Sequence, residues 1–417
     1  MKQIITSLLD TDLYKFSMGQ LAMRKYGDAN VEWKFVCRNT DVYFTPEMVD
    51  EIKRQLAMYC DLHFTREELS YLASIKWLDK GYISFLSVWQ PKLDHFTINS
   101  EAPCGLNIRA AGPWFLTMYY EVPVLAIVNE VYYEFKYKDQ YEKIENSAIE
   151  RTIKKIEDLG NEKYCIGAFS EFGTRRRLNG NMQRRIIKMF TDANNENRLG
   201  KSLFSGTSNV RIAMENNIKA VGTMAHEVFM VTGQGYPERN PAYSNKFVMD
   251  DWHDLYGIQL GIALTDCITT DCFLRDFDIK NATLFTGVRS DSGDPVEWGY
   301  KMLAHYKKLG IDPRTKTLLF SDNLDFERAG QLYAEFHDKA KVAFGIGTYF
   351  VNDTCVPALN IVMKTVKANG VPVVKISDSP GKGIGESEAY EDYLKRAIAW
   401  RLGRYKLEYG NEKLCDE

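Results

Sequence analysis

The spacing of apolar residues changes character partway along the chain. Over residues 1–150, helical periodicity runs through Pro46–Cys60 and Thr65–Ile75, while aromatic and β-branched residues crowd Val31–Cys37 and Leu106–Ala110. A long apolar pattern from Trp114 to Glu134 predicts a mostly buried helix. This mixture predicts an α+β domain over residues 1–150. Beyond Tyr164, short β-prone runs alternate with segments of helical periodicity. The predicted strands are Cys165–Phe169, Leu203–Ser205, Ala220–Gly222, Gln259–Leu264, Leu284–Gly287, Thr317–Phe320, Val342–Gly345 and Leu359–Val366.

Parallel strands need crossover connections, and a run of about eight strand–helix units is what a βα barrel requires. A doubly wound open sheet is the rival architecture. Both gather ligands at the carboxyl ends of their strands, so the expected site location survives the choice. The expected division is an α+β domain over 1–150, a βα barrel over 151–366 and a segment over 367–417 that returns to the N-terminal domain. No repeat, low-complexity tract or flexible linker interrupts it.

Charge narrows the function classes. The 417 residues include 53 Lys plus Arg against 56 Asp plus Glu, a net charge of −3. A general nucleic-acid surface would carry a basic excess. The longest clean apolar stretch, Val122–Val128, is far below the roughly 20 residues of a membrane span. Met1–Asp12 lacks the apolar stretch of a secretory signal, so a cytoplasmic location is expected. Cys37, Cys60, Cys104, Cys165, Cys267, Cys272, Cys355 and Cys415 form no Cys-x-x-Cys pair, which favours reduced thiols over disulfides or zinc. Cys267 and Cys272 lie in an apolar context that reads as core.

The unusual polar residues follow the predicted strands. Arg175, Arg176 and Arg177 form a dense positive turn after Gly173-Thr174. They either converge on a polyanion, which arginine binds bidentately, or form a solvated helix start. Gly206-Thr207-Ser208-Asn209 and Gly345-Ile346-Gly347-Thr348 place glycines and hydroxyls where backbone N–H groups hold phosphate oxygens, or simply make turns and caps. Arg289 and Asp291 share a further tip with Asp294, which precedes Pro295 and reads as a helix cap. His226 is the single histidine at a predicted tip, suited to acid, base or phosphoryl-acceptor work. His63, His95, His253, His305 and His337 read as structural.

Read together, these segments resemble the nicotinate phosphoribosyltransferase family. The resemblance rests on Leu9-Asp10-Thr11-Asp12-Leu13-Tyr14-Lys15, Glu171-Phe172-Gly173-Thr174-Arg175-Arg176, Gly206-Thr207-Ser208-Asn209 and Gly222-Thr223-Met224-Ala225-His226-Glu227. It continues in Asp291-Ser292-Gly293-Asp294-Pro295, Phe344-Gly345-Ile346-Gly347-Thr348 and Ser377-Asp378-Ser379-Pro380-Gly381-Lys382.

The resemblance implies the irregular, TIM-like βα barrel of type II phosphoribosyltransferases, joined to an α+β domain with C-terminal contributions. It implies nicotinate, phosphoribosyl pyrophosphate and ATP as substrates, magnesium as cofactor, and NAD salvage as the setting. His226 matches the transiently phosphorylated histidine, with Asp291 and Arg175 as further catalytic groups. Tyr14, Phe172, Thr223 and Arg289 match nicotinate contacts. Arg175, Ser208, Asn209, Gly347 and Thr348 match phosphoribosyl and phosphate contacts, while the magnesium ligands are left open. A homodimer is implied, in which Tyr14 stacks on the pyridine ring across the interface. One departure is Tyr349-Phe350, where some bacterial relatives carry a basic residue.

Two rival activities share parts of this pattern. Nicotinamide in place of nicotinate is the near one, although an arginine suits a carboxylate better than an amide. A phosphosugar lyase or isomerase is the remote one, and it would want a Schiff-base lysine or a carboxylate base at a strand tip.

Overall fold

The protein was analysed as a computed structural model that describes residues 1–379 and 385–405. Pro380, Gly381 and Lys382 of the last motif, and Cys415, lie outside the described residues. Two sheets organise the chain. The first is antiparallel, with strands β1 (Asn30–Cys37), β2 (Phe96–Asn99), β3 (Asn107–Pro113), β10 (Ile361–Ala368) and β11 (Val371–Pro372) in the order β11-β10-β1-β3-β2.

The second sheet is parallel, with β4 (Ala168–Glu171), β5 (Leu203–Thr207), β6 (Ile262–Leu264), β7 (Gly287–Ser290), β8 (Thr317–Phe320) and β9 (Lys341–Ile346) in the order β5-β4-β9-β8-β7-β6. Its first strand pairs with its last, and every other neighbour is sequential. That cyclic order is the signature of a barrel and excludes the doubly wound alternative. Between β5 and β6 the ring is irregular. The predicted strand Ala220–Gly222 is a single bridge from Ala220 to Thr207, and Thr223 Oγ1 donates to Ile262 O at 3.1 Å across the remaining gap.

Local chemistry sets the element ends. Thr45 caps the helix Pro46–Cys60, whose proline lies in the first turn. Thr65 and Glu68 form a reciprocal capping box at Arg66–Ser74. The long apolar pattern after Trp114 is broken by a 3₁₀ turn at Met118–Tyr120 and resumes as the helix Glu121–Lys136. Its first thirteen residues, Glu121 to Tyr133, are all buried, as expected of an element packed on every side. Asn129 Nδ2 on this helix donates to Arg177 O at 2.6 Å and ties it to the barrel.

The expected divisions shift in three places. The boundary at 150 falls inside one helix, Tyr141–Gly160. The strand read at Leu359–Val366 as part of the barrel is β10, which pairs with β1 in the antiparallel sheet, so the return crossing comes before residue 367. The C-terminal segment divides its loyalty. β11 joins the antiparallel sheet, but the helix Glu388–Arg401 packs Leu394 and Ile398 against Ala242 and Cys272 on the barrel side. The strand read at Leu284–Gly287 lies at Gly287–Ser290, because Leu284 closes the helix Ile279–Leu284. The seven described cysteines carry free thiols, and no described helix is long and apolar enough to cross a membrane.

Candidate active site

Two adjoining cavities open at the carboxyl ends of the barrel strands. The larger, about 420 Å³, is lined by Arg38, Arg175, Arg176, Arg289, Lys364 and Lys375 together with His226, Asp291 and Asp322. The smaller, about 80 Å³, is a slot walled by Tyr14, Phe172, Val221, Thr223, Ile262 and Leu319. Phe172, Arg175 and Arg289 border both. A narrow, largely apolar slot therefore opens into a cationic chamber.

The loop after β4 supplies the shared wall. Phe172 N donates to Ile346 O at 2.8 Å, and the Phe172 ring lies directly over Gly345. A Cβ at Gly345 would sit 2.2 Å from that ring, so glycine is required there by close approach rather than by phosphate. The next turn separates the three arginines. Arg175 points to the cavities, 40% exposed, with Nη1 3.3 Å from Glu121 Oε1 and Nε 3.8 Å from Asp12 Oδ2. Arg176 lines the chamber and donates through Nε to Ile361 O at 3.1 Å. Burial, and then the neighbouring Arg175, push its guanidinium down to about 10. Arg177 turns the other way and is fully buried, bonded to Asp10 Oδ1 at 2.6 Å and Glu130 Oε1 at 2.7 Å. Convergence of all three on one anion is thus corrected: two face the chamber and one holds the core together.

The N-terminal segment is stitched to the tip of β5 of the same chain. Leu13 N donates to Ser208 O, Val210 N to Thr11 O and Arg211 N to Leu9 O, at 2.8, 3.0 and 2.9 Å. This seats Tyr14 in its own chain's slot, with Oη 3.3 Å from Glu121 Oε2. Within one chain, Tyr14 and Phe172 both line this slot. Ser208 borders the slot, and its Oγ donates to Asp12 Oδ1 at 2.7 Å. Asn209, expected at the phosphates, is fully buried. Its Nδ2 donates to Asp10 at 2.8 Å, and its Oδ1 caps the helix Val210–Asn216. Asn209 is not brought to either cavity.

His226 begins the helix His226–Gln234. Its Nε2 lies 2.9 Å from Asp266 Oδ1, and its Nδ1 lies 3.7 Å from Asp291 Oδ2. Asp266 also accepts from Ser292 Oγ at 2.5 Å and Lys375 Nζ at 2.7 Å. Burial favours the neutral acid, but Lys375 and His226 outweigh it and hold the Asp266 carboxyl well below its usual range. An ionised carboxylate only accepts, so Nε2 carries the proton and Nδ1 presents its lone pair. Burial, then the charge on Lys375, lower the His226 pKa, which keeps the ring neutral near pH 7. Arg289 is aimed by Ser321 Oγ (2.9 Å), Met224 O (3.2 Å) and Asp291 Oδ1 (3.4 Å). Gly347 and Thr348 line the far wall of the chamber at the start of Thr348–Val351. Asp294 caps Pro295–Lys308 through Val296 N and Glu297 N, at 2.9 and 2.8 Å, as expected.

Comparison with known proteins bears on this arrangement. Residues 9–129 match the nicotinate phosphoribosyltransferase N-terminal domain, and residues 168–400 match the nicotinate phosphoribosyltransferase family. The chain belongs to the nicotinate phosphoribosyltransferase family. It is 40% identical over 398 residues to the nicotinate phosphoribosyltransferase of Burkholderia mallei, covering 95% of this chain and 97% of that one. It is 41% identical over 399 residues to that of Burkholderia ambifaria, covering 95% and 97%. Among solved structures, the nicotinate phosphoribosyltransferase of Vibrio cholerae superposes with a TM-score of 0.88 at 31% identity, covering 95% of this chain and 94% of that one. That of Porphyromonas gingivalis gives 0.82 at 33%, covering 96% and 100%.

For this family member, the residues that sequence reasoning passed over come mostly from the antiparallel sheet and the strand behind it. Arg38 follows β1, Lys364 lies on β10 and Lys375 follows β11. Burial, reinforced by Lys375 and Arg38, pushes the Lys364 ammonium down to about 7. Asp266, just beyond β6, is a further such residue: it is the partner of His226. The described residues of the closing motif have a bracing role: Asp378 accepts from Thr270 Oγ1 at 2.6 Å, and Ser379 Oγ accepts from Gly293 N at 2.9 Å. Among the described residues no group of three or more His, Cys, Asp or Glu converges as a metal cage. Asp291 and Asp322 both line the chamber, which fits magnesium of the kind carried by substrate phosphates and met by one or two carboxylates.

Proposed function

We propose that this enzyme transfers the phosphoribosyl group of 5-phosphoribosyl 1-pyrophosphate to nicotinate in NAD salvage, coupled to ATP hydrolysis through a transient phosphohistidine at His226. The observation that carries the reading is the join between the two cavities. A flat aromatic ring fits between Tyr14 and Phe172, and a polyphosphate fits the chamber of arginines and lysines beside it. The ring nitrogen of nicotinate attacks C1 of the ribose, the bond from C1 to the pyrophosphate oxygen breaks, and the electron pair leaves with pyrophosphate.

Each named group then has a task. Arg289, with Thr223, holds the nicotinate carboxylate. Arg175 stands at the border, where it neutralises the departing oxygens as they develop charge. Asp291 faces the ribose and the positive charge that grows at C1. Gly347 and Thr348 meet the phosphoribosyl group, with Ser208 nearby at the slot. Arg38, Lys364 and Lys375 extend the anion binding from the other side. Asp291 and Asp322 would hold magnesium together with the substrate phosphates, and the ion would supply further charge neutralisation there. Nδ1 of His226 attacks the γ-phosphorus of ATP, the bond to the bridging oxygen breaks and ADP leaves with the electron pair, while the proton stays on Nε2, hydrogen-bonded to Asp266. Water later cleaves the N–P bond, releasing phosphate and restoring the neutral ring. The added charge, nearly two units negative, shifts the neighbouring cations toward the binding-competent state. The reading keeps the homodimer with shared active sites that the family resemblance implies, with Tyr14 as the residue offered to the pyridine ring.

The test is a competition assay with phosphoribosyl pyrophosphate and either nicotinate or nicotinamide, with and without ATP, following mononucleotide formation. Nicotinate alone is expected to react, faster with ATP. His226→Ala is expected to lose the ATP stimulation and keep uncoupled transfer. Product from nicotinamide alone would overturn the nicotinate assignment, and full ATP stimulation in His226→Ala would overturn the phosphohistidine.

A further inference from the structure

Behind the slot lies an ion network that the transfer chemistry above does not use. Lys15, fully buried on the helix Tyr14–Lys25, places Nζ 2.8 Å from Glu121 Oε2 and 2.6 Å from Glu227 Oε2. The other oxygen of Glu121 faces Arg175 Nη1 at 3.3 Å, and the Tyr14 hydroxyl lies 3.3 Å from Oε2. The other oxygen of Glu227 accepts from Trp114 Nε1 at 2.6 Å. Glu227 is the residue after His226, in the first turn of the same helix. Arg175 and Tyr14 at the slot are therefore joined to the His226 helix through three buried charges in unbroken contact.

A buried lysine between two carboxylates is a costly arrangement unless every charge is met. Here the four charges Arg175, Glu121, Lys15 and Glu227 alternate in sign and balance. The same two elements are also pinned by neutral contacts: Ser17 Oγ donates to Thr223 O at 2.5 Å, and Ala225 N approaches Met18 Sδ at 3.4 Å. The helix carrying Tyr14 is thus clamped along the 223–227 segment, and displacement of one moves the other. Interiors packed this tightly respond by switching between discrete arrangements rather than by yielding gradually.

We propose that Lys15, Glu121 and Glu227 form a positioning relay that passes the phosphorylation state of His226 to Arg175 and Tyr14, and so sets affinity for the pyridine substrate. The inference rests on the phosphohistidine reading given above. None of the three takes part in bond making. Lys15 and Glu227 act through Glu121 on the groups that border the slot.

The test uses the full chain and two readouts: label appearing on His226 from γ-phosphate-labelled ATP, and the KM for nicotinate with and without ATP. Glu227→Gln keeps an oxygen for Trp114 Nε1 and removes only the charge opposite Lys15. It is expected to take label as the wild type does and to keep kcat within about twofold. The ATP-induced fall in KM, on the order of tenfold in a coupled system, should nearly vanish. Lys15→Arg, which retains the charge, should keep most of the ATP response. Should Glu227→Gln fold poorly, the double change Lys15→Met with Glu227→Gln removes the opposed pair together and is expected to show the same loss. A full ATP-induced fall in KM in Glu227→Gln or in the double variant overturns the relay while leaving the phosphohistidine standing. Absence of label on wild-type His226 overturns the phosphohistidine and the relay with it.

Discussion

The barrel strand tips and the antiparallel sheet contribute to one chamber in opposite ways. The barrel side presents Arg175, Arg289, His226 and Asp291, nearly all with an opposite charge within reach. The sheet side presents Lys364, whose ammonium is pushed down to about 7 by burial and then by the neighbouring cations Lys375 and Arg38. The barrel's groups are preorganised in the free protein. Lys375 on that side is met by Asp266, whereas Lys364 is held in its charged form at a cost that a bound polyanion would relieve. On the proposed function, orientation of the reacting groups would belong to the barrel, and Lys364 would add differential grip on pyrophosphate from the sheet.

The largest effect expected from breaking this comparison lies inside the barrel wall. Arg177→Ala leaves Asp10 and Glu130 buried without their cation, which should cost about 3–5 kcal/mol in urea unfolding. Arg175→Ala, two residues away, is partly exposed and should cost under about 1 kcal/mol of stability while lowering kcat/KM about 100-fold. Equal loss of stability in both variants would erase the distinction between holding the core and serving the site.

On the sheet side, Lys364→Met would remove the proposed charge-assisted contact to pyrophosphate, worth about 1.5–3 kcal/mol, so Kd measured by calorimetry should rise about 10- to 100-fold. Stability should be unchanged or higher near pH 7, because a poorly compensated buried charge is gone. Asp294→Ala gives the smallest effect. Loss of the cap on Pro295–Lys308 should cost about 1 kcal/mol with kcat unchanged, since Asp294 serves the helix and not the chamber.

The same contrast explains what could be read from the chain alone. Barrel tips advertise themselves because each is a short polar segment following an apolar run, and Arg175, His226, Arg289 and Asp291 all stand out that way, whereas Phe172 comes from the family resemblance alone. Neighbours within a tip were harder to separate. Nothing local distinguishes Arg175 from Arg177, which take opposite sides of a 3₁₀ turn, and Asn209 has the chemistry of a phosphate ligand yet spends it on Asp10. Arg38 and Lys364 left no signal, because one follows β1 and the other lies on β10, and these strands pair only in three dimensions. That long-range pairing is also why β10 read as one more barrel strand. Tyr14 entered as a ring contact only through the family resemblance, and the backbone bonds that tie its segment to Ser208 and Val210 are not encoded by periodicity.

Proton uptake on binding pyrophosphate tests the division of labour most directly. In the free protein the Lys364 pKa is about 7, and a bound polyanion raises it. Affinity should therefore fall as pH rises from about 7 toward the bound pKa, and binding at pH 7.5 should draw in up to about three-quarters of a proton at this group. Titration calorimetry of wild type and Lys364→Met at that pH, in buffers of different ionisation enthalpy, isolates the Lys364 contribution, because proton changes on pyrophosphate itself are common to both. Uptake by the wild type is expected to exceed that of Lys364→Met by more than about half a proton. Equal uptake in the two proteins would contradict the account.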